Sequence, residues 1–344
     1  MTRKVTIKQI ADELGLSRNT VSKAINNNGI LAPATRQKIL NTAMEMGYRQ
    51  LPASPSSMNF TYGGGKDVAL LTASMPLGAH WASAILMGIE KVISQHGFRL
   101  VVYCVQQSNL RSLTLPQNFS KTQTCAILCA ELYGMEYMDV ICGLNLPTLF
   151  IDCTPRMRLR WPNADLLMME NEDSISSVVQ SMIDRKVRTF GYIGDPEHCQ
   201  SFLDRYTAAR RTVLAAGLPD IKTYSVMEAD DPAYGNANWL ADRIRSLPAL
   251  PQAFICANDF LALSTMRALD LLGKRVPDDV LVSGFDNQPE SINVVPPLTT
   301  VAMYNSEMGV IGADLLLSRM HKPTIPPRIM HVHTDPIFRG STGN

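Results

Sequence analysis

Along the first fifty residues, apolar side chains recur at helical spacing. Ile7, Ile10, Ala11 and Leu14 form one stripe behind Thr6, a helix-capping residue type, and Gly15 follows where a tight turn needs a permissive backbone. Ser17 then opens a second short helix, Arg18 to Asn26, with Val21, Ala24 and Ile25 on its inward face. Pro33 begins a third, because a first turn has no use for the missing N–H, and Ile39, Leu40, Ala43 and Met46 form its stripe. Two helices joined by a turn of about three residues, the second rich in small polar and basic groups, predict a helix-turn-helix. The expected N-terminal unit is all-α and spans residues 1–50.

From Asp67 onward the period changes. Val68–Leu71, Leu100–Tyr103, Ala126–Leu128 and Thr148–Ile151 read as buried strands, with a helix over Ala84–Gln95. A second series follows: strand Phe190–Ile193, helix Leu203–Ala215, strand Ala253–Cys256, helix Leu261–Leu272 and strand Val280–Val282. Such alternation predicts parallel sheets covered on both faces, and two series predict two doubly wound lobes with a cleft between them. The α/β body is expected over 67–344. Its first lobe takes about 67–157 and 298–321, its second about 158–297 and 322–344. Between head and body, residues 51–66 hold Pro52, Pro55, Ser54, Ser56, Ser57 and three consecutive glycines, a linker by composition.

Charge sharpens this division. The whole chain carries +1, yet residues 1–50 hold eight Lys/Arg against three acids, so a +5 head is joined to a −4 remainder. A basic head on an acidic body points to a polyanion partner for the head alone. Hydrophobic residues are 46% and charged residues 18%, which excludes disorder or a fibrous repeat for the whole chain. No apolar run approaches the roughly 20 residues of a spanning helix, so no membrane partner is expected. Seven cysteines with no Cys-x-x-Cys pair, behind an N-terminus without an apolar signal core, lead us to expect a cytoplasmic protein.

The second helix carries the head's chemistry. With Val21 and Ile25 inward, Arg18, Asn19, Ser22 and Lys23 face outward near its start. Arginine and lysine can donate to guanine O6/N7, and asparagine can bond adenine at two points, so these types suit the major groove. Ser17, Thr20 and Asn26 suit phosphate oxygens, though Ser17 and Thr6 also read as simple caps. The runs Thr6-Ile7-Lys8-Gln9-Ile10-Ala11, Leu16–Asn26, Ala34–Ile39 and Met46-Gly47-Tyr48 resemble the DNA-binding head of the LacI/GalR family of bacterial transcription regulators. By that resemblance Arg18, Asn19 and Lys23 occupy base-reading positions, and Thr6 and Thr35 join the DNA-contacting set. The family's hinge helix has a poor counterpart here, since no basic residue lies between Arg49 and Lys66 and two prolines interrupt the segment.

In the body, polar residues gather at strand ends, where ligands of doubly wound sheets bind. Asp152 follows Ile151, Asn258-Asp259 follow Ala257, Asp286-Asn287 follow Phe285, and Asp195 lies past Ile193. Arg205 lies on the next helix, and His80 and Trp81 follow the first strand. Carboxylates, an amide, an arginine and an aromatic face suit a polyhydroxylated ligand, whereas for Asp259 alone a helix cap is the simpler reading. The runs Ala257–Leu263, Arg275–Val280, Gly284–Asn287, Pro296–Val301 and Arg339–Thr342 resemble the same family's sensor domain. That resemblance implies a body like a periplasmic sugar-binding protein, with effector positions at His80, Trp81, Asp152, Arg205, Asn258 and Asp286. Residues Ser108–Thr124, with Pro116, match the family's second helix poorly.

The resulting expectation is a repressor on a double-stranded, palindromic operator, acting as a homodimer and controlled by a sugar or related metabolite. Two rival classes remain: a solute-binding protein with a vestigial head, and a sugar-active enzyme. The first lacks a signal segment and leaves the basic helix unexplained. The second lacks any paired acid–base or nucleophile motif, and the chain has no Gly-x-x-x-x-Gly-Lys-[Ser/Thr] loop or His-Glu-x-x-His. Hence no catalytic residue, cofactor or metal is expected; His331 and His333, read on one strand face, form too small a set for a metal.

Overall fold

Thr6 and Gln9 close a reciprocal cap at the start of the head, Thr6 N donating to Gln9 Oε1 at 2.9 Å and Gln9 N to Thr6 Oγ1 at 3.4 Å. They open helix α1 (Ile7–Leu14), which ends at Gly15 in the left-handed conformation, φ +63°. Helix α2 (Arg18–Ile25) begins after Ser17, whose Oγ accepts from Thr20 N at 3.0 Å. The computed structural model describes residues 5–25, 35, 38–39, 42–43, 46, 48, 66–73, 80–229 and 232–343, with backbone alone at 80–82 and 232. Thr35, Lys38, Ile39, Thr42 and Ala43 are helical, and Ile39 and Ala43 pack with Ile10, Val21, Ala24 and Ile25 in a small core. Asn26 and residues 51–65 lie outside the described residues. The chain divides into two compact units, Met1–Asn59 and Phe60–Asn344.

In the second unit a first sheet is wholly parallel. Strands β1 (Asp67–Thr72), β2 (Arg99–Cys104), β3 (Thr124–Ala130), β4 (Thr148–Ile151), β5 (Ala164–Met169) and β10 (Ile329–Val332) lie in the order β10-β5-β4-β3-β1-β2. Alternate residues of β1 face different cores, Val68 and Leu70 one side, Ala69 and Leu71 the other. Helices α3 (His80–Gln95), α4 (Gln107–Ser112), α5 (Met135–Cys142) and α11 (Asn305–His321) belong to this lobe. The helical stretch after β2 is only α4, because Leu113 turns left-handed at φ +55° and Pro116 follows.

A second parallel sheet joins β6 (Phe190–Ile193), β7 (Ala253–Cys256) and β8 (Leu281–Ser283) in that order. Strand β9 (Thr300–Met303) adjoins it through bridges from Ser283 to Thr299 and Asp286 to Ala302, and pairs antiparallel with β11 (Thr334–Ile337). Helices α6 (Glu172–Asp184), α7 (Gln200–Ala215), α8 (Ala237–Arg245), α9 (Asp259–Leu271) and α10 (Glu290–Asn293) complete the lobe. No helix of the described residues is long and apolar enough to cross a membrane.

The topology corrects the expected lobe bounds. Residues 164–169 and 329–332 belong to the first sheet, not the second lobe. Buried Asp165 on β5 gives the reason: it accepts from Arg319 Nη2 at 2.5 Å and from Arg328 Nη2 at 2.7 Å. An ion removed from water needs such partners, and these come from α11 and from the residue just before β10. His331 lies in β10, while His333 falls between β10 and β11, its Nε2 3.3 Å from Asp335 Oδ1.

Candidate functional site

A cavity of about 560 Å³ opens between the two sheets' strand ends, and Asp152, Arg205, Asn258 and Asp286 all line it. Arg205, from α7, is buried with its guanidinium carbon 3.5 Å from the centre of the Phe285 ring. Its Nε donates to Asn171 Oδ1 at 2.8 Å and its Nη1 to the Ala257 carbonyl at 2.6 Å. Stacking and hydrogen bonding together hold a charge that burial alone would reject. Asp286 Oδ1 lies 3.7 Å from Nη1.

Asp286 follows β8 at φ +107°, a conformation that turns its carboxylate into the cavity. Burial pushes that carboxyl up to about 6, with Arg205 pulling the other way. Asn258 caps α9, its Oδ1 accepting from Leu261 N at 3.0 Å. The simple capping role expected of Asp259 is thereby taken by its neighbour. Asp259 instead turns under the β8–α10 loop, accepting from Thr300 Oγ1 at 2.6 Å and Gln288 N at 2.8 Å. Complete burial and the nearby Asp286 charge raise its carboxyl to about 7.

From the first lobe, Asp152 extends its carboxylate to the second. Its Oδ1 accepts from Cys153 N at 2.7 Å and from Ser201 N, in the first turn of α7, at 3.3 Å. The free N–H groups of a helix start favour a negative charge there. Nearby, Gln200 N donates to the Cys153 carbonyl at 2.8 Å, and Arg156 holds Glu197 through two bonds of 2.5 and 2.7 Å. The lobes thus meet along one polar seam beside the cavity.

His80 and Trp81 open α3, and their side chains lie outside the described residues. Asp195 does not line the cavity; its Oδ1 accepts from Glu197 N at 2.8 Å. Several lining residues escaped the sequence reading: Glu131, Tyr133, His198 and Phe202. Tyr133 meets His198 edge-on at 5.1 Å, and His198 lies 5.0 Å from Phe202. Glu131 follows β3 directly, so the strand-end criterion that singled out Asp152 would have found it too. Asn171, which orients Arg205, lies two residues past β5 and at the start of α6, so the same criterion would have found it.

In the head, Arg18, Asn19 and Lys23 are exposed on α2 while Val21, Ala24 and Ile25 are buried beneath. Ser17 is exposed and already engaged, as the α2 cap and with Thr20 Oγ1 at 2.8 Å. Thr20, Ser22 and Thr35 are half-buried, and Thr6 is exposed at the α1 cap.

Residues 6–50 match the family described as bacterial regulatory proteins, lacI family, and residues 179–342 match a periplasmic binding protein-like domain. The chain is 25% identical over 344 residues to the HTH-type transcriptional repressor PurR of Pasteurella multocida (strain Pm70), with 98% of each chain covered. It is 22% identical to the ribose operon repressor of Bacillus subtilis (strain 168), again over 98% of each. Catabolite control protein A of Priestia megaterium is 24% identical, over 98% of this chain and 99% of that one. Among solved structures, a CelR–cellobiose complex superposes with a TM-score of 0.69 at 22% identity, covering 98% of this chain and 100% of that one. The lac repressor dimer bound to operator and the anti-inducer ONPF gives 0.68 at 23% identity, covering 99% of both.

Proposed function

Since this chain belongs to the LacI family, we propose that it is a DNA-binding transcriptional repressor whose operator affinity is set by a small molecule held between its lobes. The observation that carries the reading is the union, in one chain, of an exposed basic helix α2 and an interlobe cavity lined by polar groups. Arg18, Asn19 and Lys23 read base edges, and Thr6, Ser17, Thr20, Ser22, Asn26 and Thr35 engage the backbone. Arg205, Asn258 and Asp286 reach the effector from the second lobe, and Asp152, with His80 and Trp81, from the first. A ligand touching both lobes favours one angle between them, and the angle sets the spacing of two heads in a homodimer on a palindrome. The ribose operon named in one relative and the cellobiose bound in one neighbour support a sugar or related metabolite. The protein acts in the cytoplasm, where its operator is. Its cavity carboxylates accept hydrogen bonds and have no catalytic role.

The test is selection of operator from random duplexes, followed by calorimetry against sugars and nucleosides. Enrichment of one palindrome, released or tightened by a ligand of that panel, is the expected result. Failure to enrich any sequence would leave a solute-binding protein with a vestigial head.

A further inference from the structure

The described walls of the interlobe cavity hold three carboxylates, from Glu131, Asp152 and Asp286, and a single guanidinium, that of Arg205. Two of those charges are met within the protein. Asp152 sits at the start of α7, and Asp286 faces Arg205. Glu131 is different. It stands at φ +55° just beyond β3, and no hydrogen bond or ion pair of the described residues engages its carboxylate. Desolvation pushes its carboxyl up, opposed only by the charge of His198.

Two further observations bear on what does. Asp286 has a side chain only 7% exposed, yet its contacts are long, 3.7 Å to Arg205 and 3.5 Å to Gln288 Nε2. It retains acceptor capacity toward the cavity. The rings of Tyr133, His198 and Phe202 form a connected run along the same wall. Aromatic faces attract cations, and a carboxylate beside them adds to the attraction. A phosphorylated or carboxylated ligand would bring negative charge against three carboxylates. A neutral ligand would bury Glu131 further with only His198 to offset its charge, which is costly.

We propose that the ligand of this cavity carries a positively charged nitrogen, as an amino sugar does, with Glu131 as its counter-ion and Tyr133 and Phe202 as packing surfaces. The inference rests on the reading of this cavity as the effector site. It narrows the ligand from polyhydroxylated molecules in general to amine-bearing ones, and makes Glu131 the residue that selects the charge.

Three probes of similar size and different charge test it on the full-length protein: glucosamine, glucose and glucose 6-phosphate, followed by saturation-transfer NMR. Glucosamine should bind at least about tenfold tighter than glucose, and glucose 6-phosphate most weakly. Glu131→Gln should bring glucosamine down to the affinity of glucose, with a native circular-dichroism spectrum showing that the variant is folded. Asp286→Ala should weaken both sugars. Glucose 6-phosphate binding as tightly as glucosamine, or a glucosamine preference that survives Glu131→Gln, overturns the inference. If glucose binds through Asp286 and glucosamine gains nothing, the effector site stands and the charge selection falls. If no probe gives a signal that depends on Asp286, both fall.

Discussion

Asp286 combines a backbone angle of +107°, near-complete burial and a position at the cavity edge. A side chain held there is suited to gripping a ligand hydroxyl or amine, and its removal leaves the ligand's donor unpaired. Asp286→Ala should therefore shift the effector dose response by roughly 10-fold or more, while operator affinity without effector stays nearly constant. In the head, Arg18→Ala or Lys23→Ala should relax preference at one position of each half-site by about 1–3 kcal/mol, read from binding to operator variants. Equal loss on every sequence would make them phosphate contacts instead. The buried carboxyls add a pH dependence. Asp259 and Asp286 rise in the folded chain from 3.8 to about 7 and about 6. The folded state thus holds these protons more tightly than the unfolded one. Their stabilising contribution is full below about 4 and is lost as pH rises through about 6 and 7. Asp259→Asn should flatten that fall in the melting midpoint across the same interval.

At the scale of elements, α3 and α11 approach backbone to backbone. A Cβ on Gly88 would lie 2.3 Å from the Ser306 carbonyl oxygen, and one on Gly309 would lie 2.1 Å from that of Ile85. Neither neighbour can swing aside, since both are main-chain atoms of packed helices. Gly309→Ala should destabilise the body by about 1–3 kcal/mol in denaturant unfolding, through overpacking. The sequence reading identified a helix over Ala84–Gln95, yet it had no means of showing that another helix would press against Gly88. The same separation appears at α9. Local rules permit either Asn258 or Asp259 to cap it, and the loop that wraps Asp259 with Thr300 and Gln288 leaves the cap to Asn258.

Across the whole molecule, the polar seam from Asp152 to Ser201 and from Arg156 to Glu197 joins the lobes beside the cavity. Effector binding and lobe angle are consequently parts of one equilibrium. Coupling between the effector and operator sites of about 1–3 kcal/mol is the expected size, and linkage requires it to be equal in both directions. Effector affinity measured with saturating operator should change by the same factor as operator affinity measured with saturating effector. A homodimer should also bind a full palindrome far more tightly than one half-site, since each head reads only a few base pairs.

Much of this protein is written locally. Thr6, Gly15 and Ser17 punctuate the head, and apolar period separates its helices from the strands that follow, because capping and amphipathicity act within a few residues. Asp152, Asn258 and Asp286 were legible for a related reason: a strand end is marked in the sequence, and doubly wound sheets bring strand ends to one edge, whereas Arg205, on α7, was singled out by the family resemblance. What tertiary structure alone decided lies between distant residues. Asp165 finds Arg319 and Arg328 more than 150 positions away, and that ion cluster ties β5 and β10 to the first sheet. Glu131, Tyr133, His198 and Phe202 form one wall only after two lobes have met. Burial, charge pairing and close approach are sums over neighbours in space, and no period along the chain records them.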